Sequence, residues 1–221
     1  DVEYRPITAI RDHAPVEFHV PASTEDYLDL KNTKFYVTIQ IKQLANNTDI
    51  PFDAKVAPIN DIFNGLWSNI ELFLKDRLVS HSNNTHGYTS MISHLIHDSE
   101  ESLESERSMR LIYKDTASQM DVADPFMQNQ QGLISGYNIN ENDGTELDVE
   151  IGNKGLHQRF LHTRTSREVE LIGGLRIDLF EQERYIPTGV DMKLRFHRQK
   201  YQYMLMAGND NCKISITDCY L

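Results

Sequence analysis

The sequence is poor in cysteine and in positive charge, and both shortages exclude classes of protein. Its 221 residues contain two cysteines, Cys212 and Cys219, and 22 basic against 33 acidic residues, for a net charge of −11. Direct packaging of nucleic acid requires a basic surface that neutralises phosphates, so we expect no direct nucleic-acid binding. The same acidity disfavours an anionic membrane surface as a partner.

The two cysteines are too far apart to form a disulfide with each other if the segment between them is a strand. At about 3.3 Å per residue, Cys212 and Cys219 would lie roughly 23 Å apart. A disulfide requires Cα atoms within about 7 Å of each other. Free thiols are typical of proteins inside cells, so we expect an intracellular site.

Long hydrophobic runs and catalytic motifs are also missing. The apolar runs are a few residues long, far below the roughly 18 that cross a bilayer, so no membrane span is expected. The chain contains no glycine-rich phosphate loop and no H-E-x-x-H, G-x-S-x-G or C-x-x-C motif. We therefore expect a protein that is not an enzyme and has no cofactor, which favours an interaction protein.

Strict alternation of apolar and polar residues is what the sequence does contain. The clearest case is KFYVTIQIKQ (34–43), which places Phe35, Val37, Ile39 and Ile41 on one face. Similar patterns predict further strands over 15–20, 169–180, 192–197, 203–206 and 213–217, and a hairpin over 69–80. Seven to nine short strands without βαβ alternation predict an all-β fold, an antiparallel β-sandwich of jelly-roll type with short helical insertions.

Helical spacing is confined to the middle of the chain. The first predicted helix follows Pro58, and the second follows Thr85 as its cap. The apolar positions of the first helix are Ile59, Ile62, Phe63 and Leu66, and those of the second are Tyr88, Met91, Ile92, Leu95 and Ile96. Residues at this spacing share one face, so we expect both sets to be buried.

Candidate sites are few, and no catalytic, cofactor-binding or metal-binding residue is predicted. His94 and His97 with Asp98 have a spacing that suits a metal, but surface histidines with the polar side of the helix turned outward are favoured. The basic stretch HQRFLHTRTSR (157–167) contains Arg159, Arg164 and Arg167. The polar face of an edge strand or a contact with an acidic neighbouring chain is favoured over a contact with an anion or nucleic acid. With Trp67, these arginines are the candidate subunit-interface residues.

The order of short motifs along the chain resembles a known family. The chain resembles the amino-terminal half of the major capsid protein encoded by Polinton/Maverick elements and the related adintoviruses. The resemblance lies in YRPI (4–7), PVEFHV (15–20), YLDL (27–30), FYVTIQI (35–41), VAPIND (56–61), LVSHSNNTHGY (78–88), YKDTA (113–117), NKGLHQRF (153–160), GGLRIDLF (173–180) and ERYIPTGVDMKLRF (183–196).

The resemblance implies a structural capsid protein whose residues 1–221 form one jelly roll, the first of two, with PVEFHV as its first strand. Three copies would form a pseudo-hexameric capsomer of an icosahedral shell. The implied partners are further copies in the homotrimer and in neighbouring capsomers, together with penton and minor capsid proteins. The implied location is the virion capsid, assembled inside the host cell, with nucleus or cytoplasm left open. Loops 98–116 and 128–154 would face the exterior or a neighbouring subunit.

Three alternatives stay open. A single jelly-roll penton or minor capsid protein fits the length of the chain. A jelly roll that binds carbohydrate or another ligand would require clustered aromatic and carboxylate side chains on one sheet face. A cupin-like metalloenzyme would require several inward-facing histidines, and no common spacing relates His19, His157, His162 and His197. Sequons at Asn46 and Asn83 are expected to be polar turns.

Overall fold

Antiparallel strands form most of the regular structure. A computed structural model describes residues 2–12, 14–97, 108–126, 136–139, 146–149, 152–208 and 211–221. The strands are β1 (Val16–Val20), β2 (Lys34–Gln43), β3 (Val56–Pro58), β4 (Trp67–Leu74), β5 (Arg77–His81), β6 (Gly136–Ile139), β7 (Glu146–Val149), β8 (Val169–Gly174), β9 (Met192–Arg198), β10 (Leu205–Ala207) and β11 (Cys212–Tyr220). The helices are α1 (Ile62–Gly65), α2 (His86–His97), α3 (Lys154–Thr163) and α4 (Tyr201–Met204).

Two sheets face each other across the core. The first has the order β1-β9-β4-β5 and the second β11-β2-β8, with every neighbouring pair antiparallel. Two backbone hydrogen bonds, from the Tyr4 amide to the Leu221 carbonyl at 2.9 Å and back at 3.0 Å, add the N-terminal segment beside β11. The short strands β3 and β10 form one separate pair, and β6 and β7 form another.

The strand order is that of a jelly roll. The eight main positions along the chain are the Tyr4 segment, β1, β2, β4, β5, β8, β9 and β11. Numbered in this order, one sheet reads 1-8-3-6 and the other 2-7-4-5. Two interlocked Greek keys produce this arrangement. The predicted fold class is confirmed, whereas PVEFHV takes the second position rather than the first.

Aromatic rings from both sheets and from α1 fill the core. Phe35 of β2 stacks on Phe196 of β9 with ring centroids 4.8 Å apart, and Phe18 of β1 meets Phe196 edge-on at 5.6 Å. Phe63 of α1 and Trp67 of β4 complete the cluster, at 5.9 and 5.8 Å from Phe35. Burial of each ring contributes about 1.5–3 kcal/mol to the stability of the fold, and each ring pair adds about 1 kcal/mol.

Alternation predicted the strands well where it was regular. The predicted core face of β2 is buried, and the hairpin 69–80 turns at Lys75 and Asp76, whose φ angles of 48° and 60° suit a tight hairpin turn. Cys212 and Cys219 lie on the same strand, β11, so the condition under which they are too far apart to pair with each other is met.

Other segments depart from the prediction. The strand predicted over 169–180 ends at Gly174, and 175–180 forms turns with Leu175, Ile177 and Phe180 buried. The first predicted helix is shorter than expected. It consists only of α1, and Pro58, which was expected to begin it, is the last residue of strand β3. In loop 98–116, residues 98–107 lie outside the described residues, while Arg110 and Leu111 are buried. Of loop 128–154, the structure describes the backbone of the paired strands β6 and β7 and residues 152–154.

Candidate assembly surface

Helix α2 exposes the face that its sequence pattern predicts to be buried. Its apolar side chains are between 38% and 75% exposed, and we call this set the α2 apolar face: Tyr88, Met91, Ile92, Leu95 and Ile96. The helix itself begins directly after Thr85, as predicted. The position of the helix was therefore predicted correctly, but the prediction that its apolar face packs into the core is wrong.

The opposite face of α2 is polar and buried. His86, Ser90 and His94 recur at every fourth position, so they lie on one side of the helix, and none is more than 5% exposed. They meet Asp61 and Asn64, which are buried at the start of α1 and within it. We call these five residues, with the buried Arg110, the polar cluster. The expectation that His94 lies on an outward polar side is corrected by this packing.

The Asp61 carboxylate is the centre of the polar cluster. It accepts hydrogen bonds from Ser90 Oγ at 2.9 Å and from Asn64 Nδ2 at 3.0 and 3.1 Å. His94 Nε2 lies 3.2 Å from Asp61 Oδ2. Because each partner must approach from a defined direction, these bonds fix how α2 is rotated against α1.

Histidine chemistry links the cluster to Arg110. His94 Nε2 lies 3.2 Å from Arg110 Nη1 as well as from the Asp61 carboxylate. A single ring nitrogen either donates to the carboxylate or accepts from the guanidinium, so these two contacts belong to different protonation or tautomeric forms. His86 Nε2 lies 3.3 Å from Asn64 Oδ1. Burial lowers the pKa of His86 to about 4, with a smaller opposing effect of the Asp61 charge.

The metal hypotheses gain no support from these positions. The side chains of His97 and Asp98 lie outside the part of the chain that is described. His157 and His162 belong to helix α3 rather than to inward strand positions, as a cupin-like site would need. Within the described ranges, no group of three or more histidine, cysteine, aspartate or glutamate side chains is placed to hold a metal ion.

The basic stretch 157–167 forms helix α3 and a following turn rather than an edge strand. Asn153 caps α3, because its Oδ1 accepts from the Leu156 amide at 3.2 Å. Arg159 is fully buried, and it donates from Nε to the Pro58 carbonyl at 2.9 Å and from Nη2 to Asp115 Oδ1 at 3.0 Å. The expectation of an accessible Arg159 is corrected by these contacts, which tie α3 to β3.

The remaining interface candidates divide between core and surface. Trp67 is 1% exposed and packs on Phe196 with ring centroids 5.0 Å apart, so it is a packing residue of the core, and its choice as an interface candidate is corrected. Arg164 is half-buried, with its guanidinium 5.8 Å from the centre of the Phe52 ring, and Arg167 is exposed. For Arg164 and Arg167, a role in subunit contact stays a prediction.

Comparison with protein-family models and with curated protein sequences finds no match. Among solved structures, the chain is similar to the Faustovirus major capsid protein, with 10% identity and a TM-score of 0.51 over 96% of this chain and 44% of that one. The mavirus major capsid protein matches with 10% identity and a TM-score of 0.46, over 99% of this chain and 45% of that one.

The Faustovirus match shows a shared fold. It agrees with the jelly-roll strand order, and the chain is accordingly an all-β sandwich of jelly-roll type. The chain spans less than half of the length of each matched protein. In the described part of the chain, no helix combines the length and the apolar character needed to span a membrane.

Proposed function

We propose that this protein is a structural capsid subunit of a virus or virus-like transposon, and that it acts by self-assembly rather than by catalysis. The observation that carries the proposal is the jelly-roll strand order together with the fold shared with the Faustovirus major capsid protein over 96% of the chain. The virion capsid is then its place of action.

A finer proposal concerns the capsomer. The motif order that resembles the Polinton/Maverick and adintovirus protein supports a homotrimer in which each copy contributes two jelly rolls to a pseudo-hexameric capsomer. By that resemblance this chain would supply the first of the two, and its span of 44% of the Faustovirus protein fits one jelly roll of a pair. Neighbouring capsomers and penton or minor capsid proteins would be its further partners.

A single jelly-roll penton or minor capsid protein is the second candidate. The observation in its favour is that all eight strand positions of one jelly roll are filled within these 221 residues. The two candidates differ in symmetry, because a vertex protein assembles around a five-fold axis whereas a pseudo-hexameric capsomer has three-fold symmetry.

Mass and shape of the purified protein test the proposal. Light scattering followed by negative-stain microscopy should reveal trimers or shell-like particles for a capsomer protein. Pentamers would favour the vertex protein over the capsomer. A monomer at every concentration would contradict the proposal and leave the ligand-binding jelly roll, which a glycan and metal screen would then examine.

Charge reversal tests the proposed contact at the end of α3. The chain carries an excess of acidic residues, so Arg164 and Arg167 are suited to an acidic surface of a neighbouring copy. Arg164→Glu with Arg167→Glu should leave the thermal midpoint nearly unchanged and raise the protein concentration needed for assembly. The same double reversal at the exposed Arg77 and Arg184 is the matched control. Equal assembly of the two double variants would show that this segment makes no subunit contact.

A further inference from the structure

The α2 apolar face is the densest group of exposed apolar side chains in the described part of the chain. It holds five of the large hydrophobic residues that are exposed there. The others are the neighbours Leu78 and Val79 on β5 and single residues on separate segments: Val2, Ile7, Tyr27, Leu44, Phe52, Met109, Met120, Tyr185 and Tyr203. Single exposed hydrophobic residues are normal on soluble proteins, whereas a contiguous patch marks an interaction site.

The polar cluster holds this face outward. A rotation of α2 that buried Ile92 and Leu95 would withdraw Ser90 and His94 from Asp61, leaving a buried carboxylate without these partners. The exposure of the apolar face is therefore fixed by hydrogen bonds on the other side of the helix. An outward apolar face held in one orientation is pre-organised for a partner.

The chemistry of the face points to an apolar and uncharged partner. Residues 86–97, HGYTSMISHLIH, contain no aspartate, glutamate, lysine or arginine. A charged partner would lose hydration there and gain no opposite charge. Two copies of a chain with a net charge of −11 repel each other, but at this uncharged face they can meet without opposing carboxylates, so the same face on another copy is a matched partner.

We infer that α2 forms a contact between two copies of this chain, in which the two α2 helices pack antiparallel across a two-fold axis. This inference rests on the proposed function, since it names one surface of the assembly. An axis beside Ile92 sets Ile92 against its own counterpart and Tyr88 against Ile96 of the second copy. The antiparallel arrangement also opposes the two helix dipoles favourably.

The size of the face indicates how strong this contact is. A 12-residue helix is about 18 Å long. Patches of this kind cover a few hundred Å², whereas a stable complex buries about 800 Å² on each partner. The α2 pair is therefore a weak contact in isolation. In an assembly it is stabilised by the other contacts that hold the same two copies together.

A disulfide cross-link tests the pairing directly. Ile92→Cys in the full chain should give a disulfide-linked dimer under mild oxidation, because the axis brings the two introduced thiols together. The controls are the unaltered chain, which measures any background from Cys212, and Leu44→Cys, which places a thiol at an exposed position far from α2 in sequence. Dimer yield no higher than that of Leu44→Cys overturns the inference, as does binding of α2 to phosphatidylcholine vesicles in place of a second copy.

A charged residue on the same face gives the second test. Leu95→Glu should weaken self-association by about tenfold, since it places a charge in an apolar contact, while the exposed position leaves the fold intact. Leu44→Glu makes the same change at another exposed leucine and should assemble like the unaltered chain. If particles form equally well from both variants, the capsid proposal stands and the α2 pairing falls. If the Ile92→Cys dimer cross-links but the chain forms no trimers or particles, the α2 pairing stands and the capsid proposal falls.

Discussion

The space between the two sheets and the space beneath α2 are both closed to solvent, yet they are filled in opposite ways. Between the sheets, rings such as Phe35 and Phe196 pack at 4.8 Å with apolar neighbours on all sides. Beneath α2, a carboxylate, two imidazoles and a guanidinium are buried together around Asp61. The first arrangement is stabilised by contact area and the second by directed hydrogen bonds.

The difference teaches what each region contributes to the molecule. Apolar packing is non-directional, so the aromatic core gives the sandwich its stability and tolerates substitutions that conserve volume. A buried charged cluster gives little net stability against an apolar replacement, but breaking it is costly. Beneath α2 it determines which face of the helix meets solvent, and that orientation exposes the proposed contact surface.

A charge placed in the aromatic core should have the largest effect. Ile39 is fully buried on β2, where an aspartate would have neither water nor an opposite charge. We expect Ile39→Asp, and likewise Val37→Asp, to prevent folding. An unpaired buried charge is very costly, whereas the free energy of unfolding of a whole protein is only about 5–15 kcal/mol. Circular dichroism of the soluble fraction measures this. Gln40→Asp, on the opposite face of the same strand, should stay folded; a folded Ile39→Asp would refute the register of β2.

Acid should act on the polar cluster rather than on the aromatic core. The folded protein protonates His86 only near pH 4, whereas the unfolded chain does so near 6.5. The unfolded state therefore binds more protons below pH 6.5, so the free energy of unfolding is highest above that value and falls as the pH drops towards 4. At about 1.4 kcal/mol per pH unit, the loss reaches about 3 kcal/mol near pH 4.

Urea unfolding between about pH 7 and about pH 4.5 measures this loss. His86→Gln removes one titrating ring and should reduce the dependence of the free energy of unfolding on pH. His81→Gln changes an exposed histidine on β5 and should keep the dependence of the unaltered chain. An unchanged slope in His86→Gln would mean that another group titrates.

Loss of the central carboxylate should cost less, because the side-chain shape is retained. Asp61 has a φ of 53°, a left-handed conformation that asparagine also tolerates. Asp61→Asn replaces one accepting oxygen by a donor that faces Asn64 Nδ2, which already donates to both oxygens, so we expect the free energy of unfolding to fall by about 2 kcal/mol. Chemical denaturation is the measurement, and Asp53→Asn, at an exposed carboxylate, should be neutral. Equal midpoints for the two variants would contradict the network.

The aromatic core was predictable from the sequence, because its strands alternate regularly. Every second residue is buried from Phe35 to Ile41 on β2 and from Met192 to Phe196 on β9, and all of these buried residues are apolar. Period-2 alternation leaves little choice of register once one face must be buried. The N-terminal strand at Tyr4 was not predicted, since two hydrogen bonds to Leu221 leave no periodic signature.

The polar cluster was not predictable in the same way. The sequence predicted the position of helix α2 correctly. Its apolar face gave a stronger burial signal than the polar residues His86, Ser90 and His94, so the wrong face was expected to be buried. The partner Asp61 lies 25 residues before His86, too far along the chain for helical spacing to relate the two. For α3, a signal was present in the cap Asn153 and in the buried pair Leu156 and Phe160 at i and i+4. The density of arginines and histidines in that stretch favoured a surface strand instead.

The two regions meet at Gly173, and the smallest change tests whether they are coupled. A Cβ at this position would lie 2.9 Å from Phe63 of the aromatic core and 3.0 Å from the Arg110 chain of the polar cluster. Gly173→Ala should therefore lower the free energy of unfolding by about 1 kcal/mol through overpacking, since the Arg110 side chain can shift. Gly174→Ala, with open space around its Cβ, should be neutral or slightly stabilising. If Arg110 transmits the strain, Gly173→Ala and Asp61→Asn will be non-additive in a double-mutant cycle, whereas additive losses would mean that the two regions respond independently.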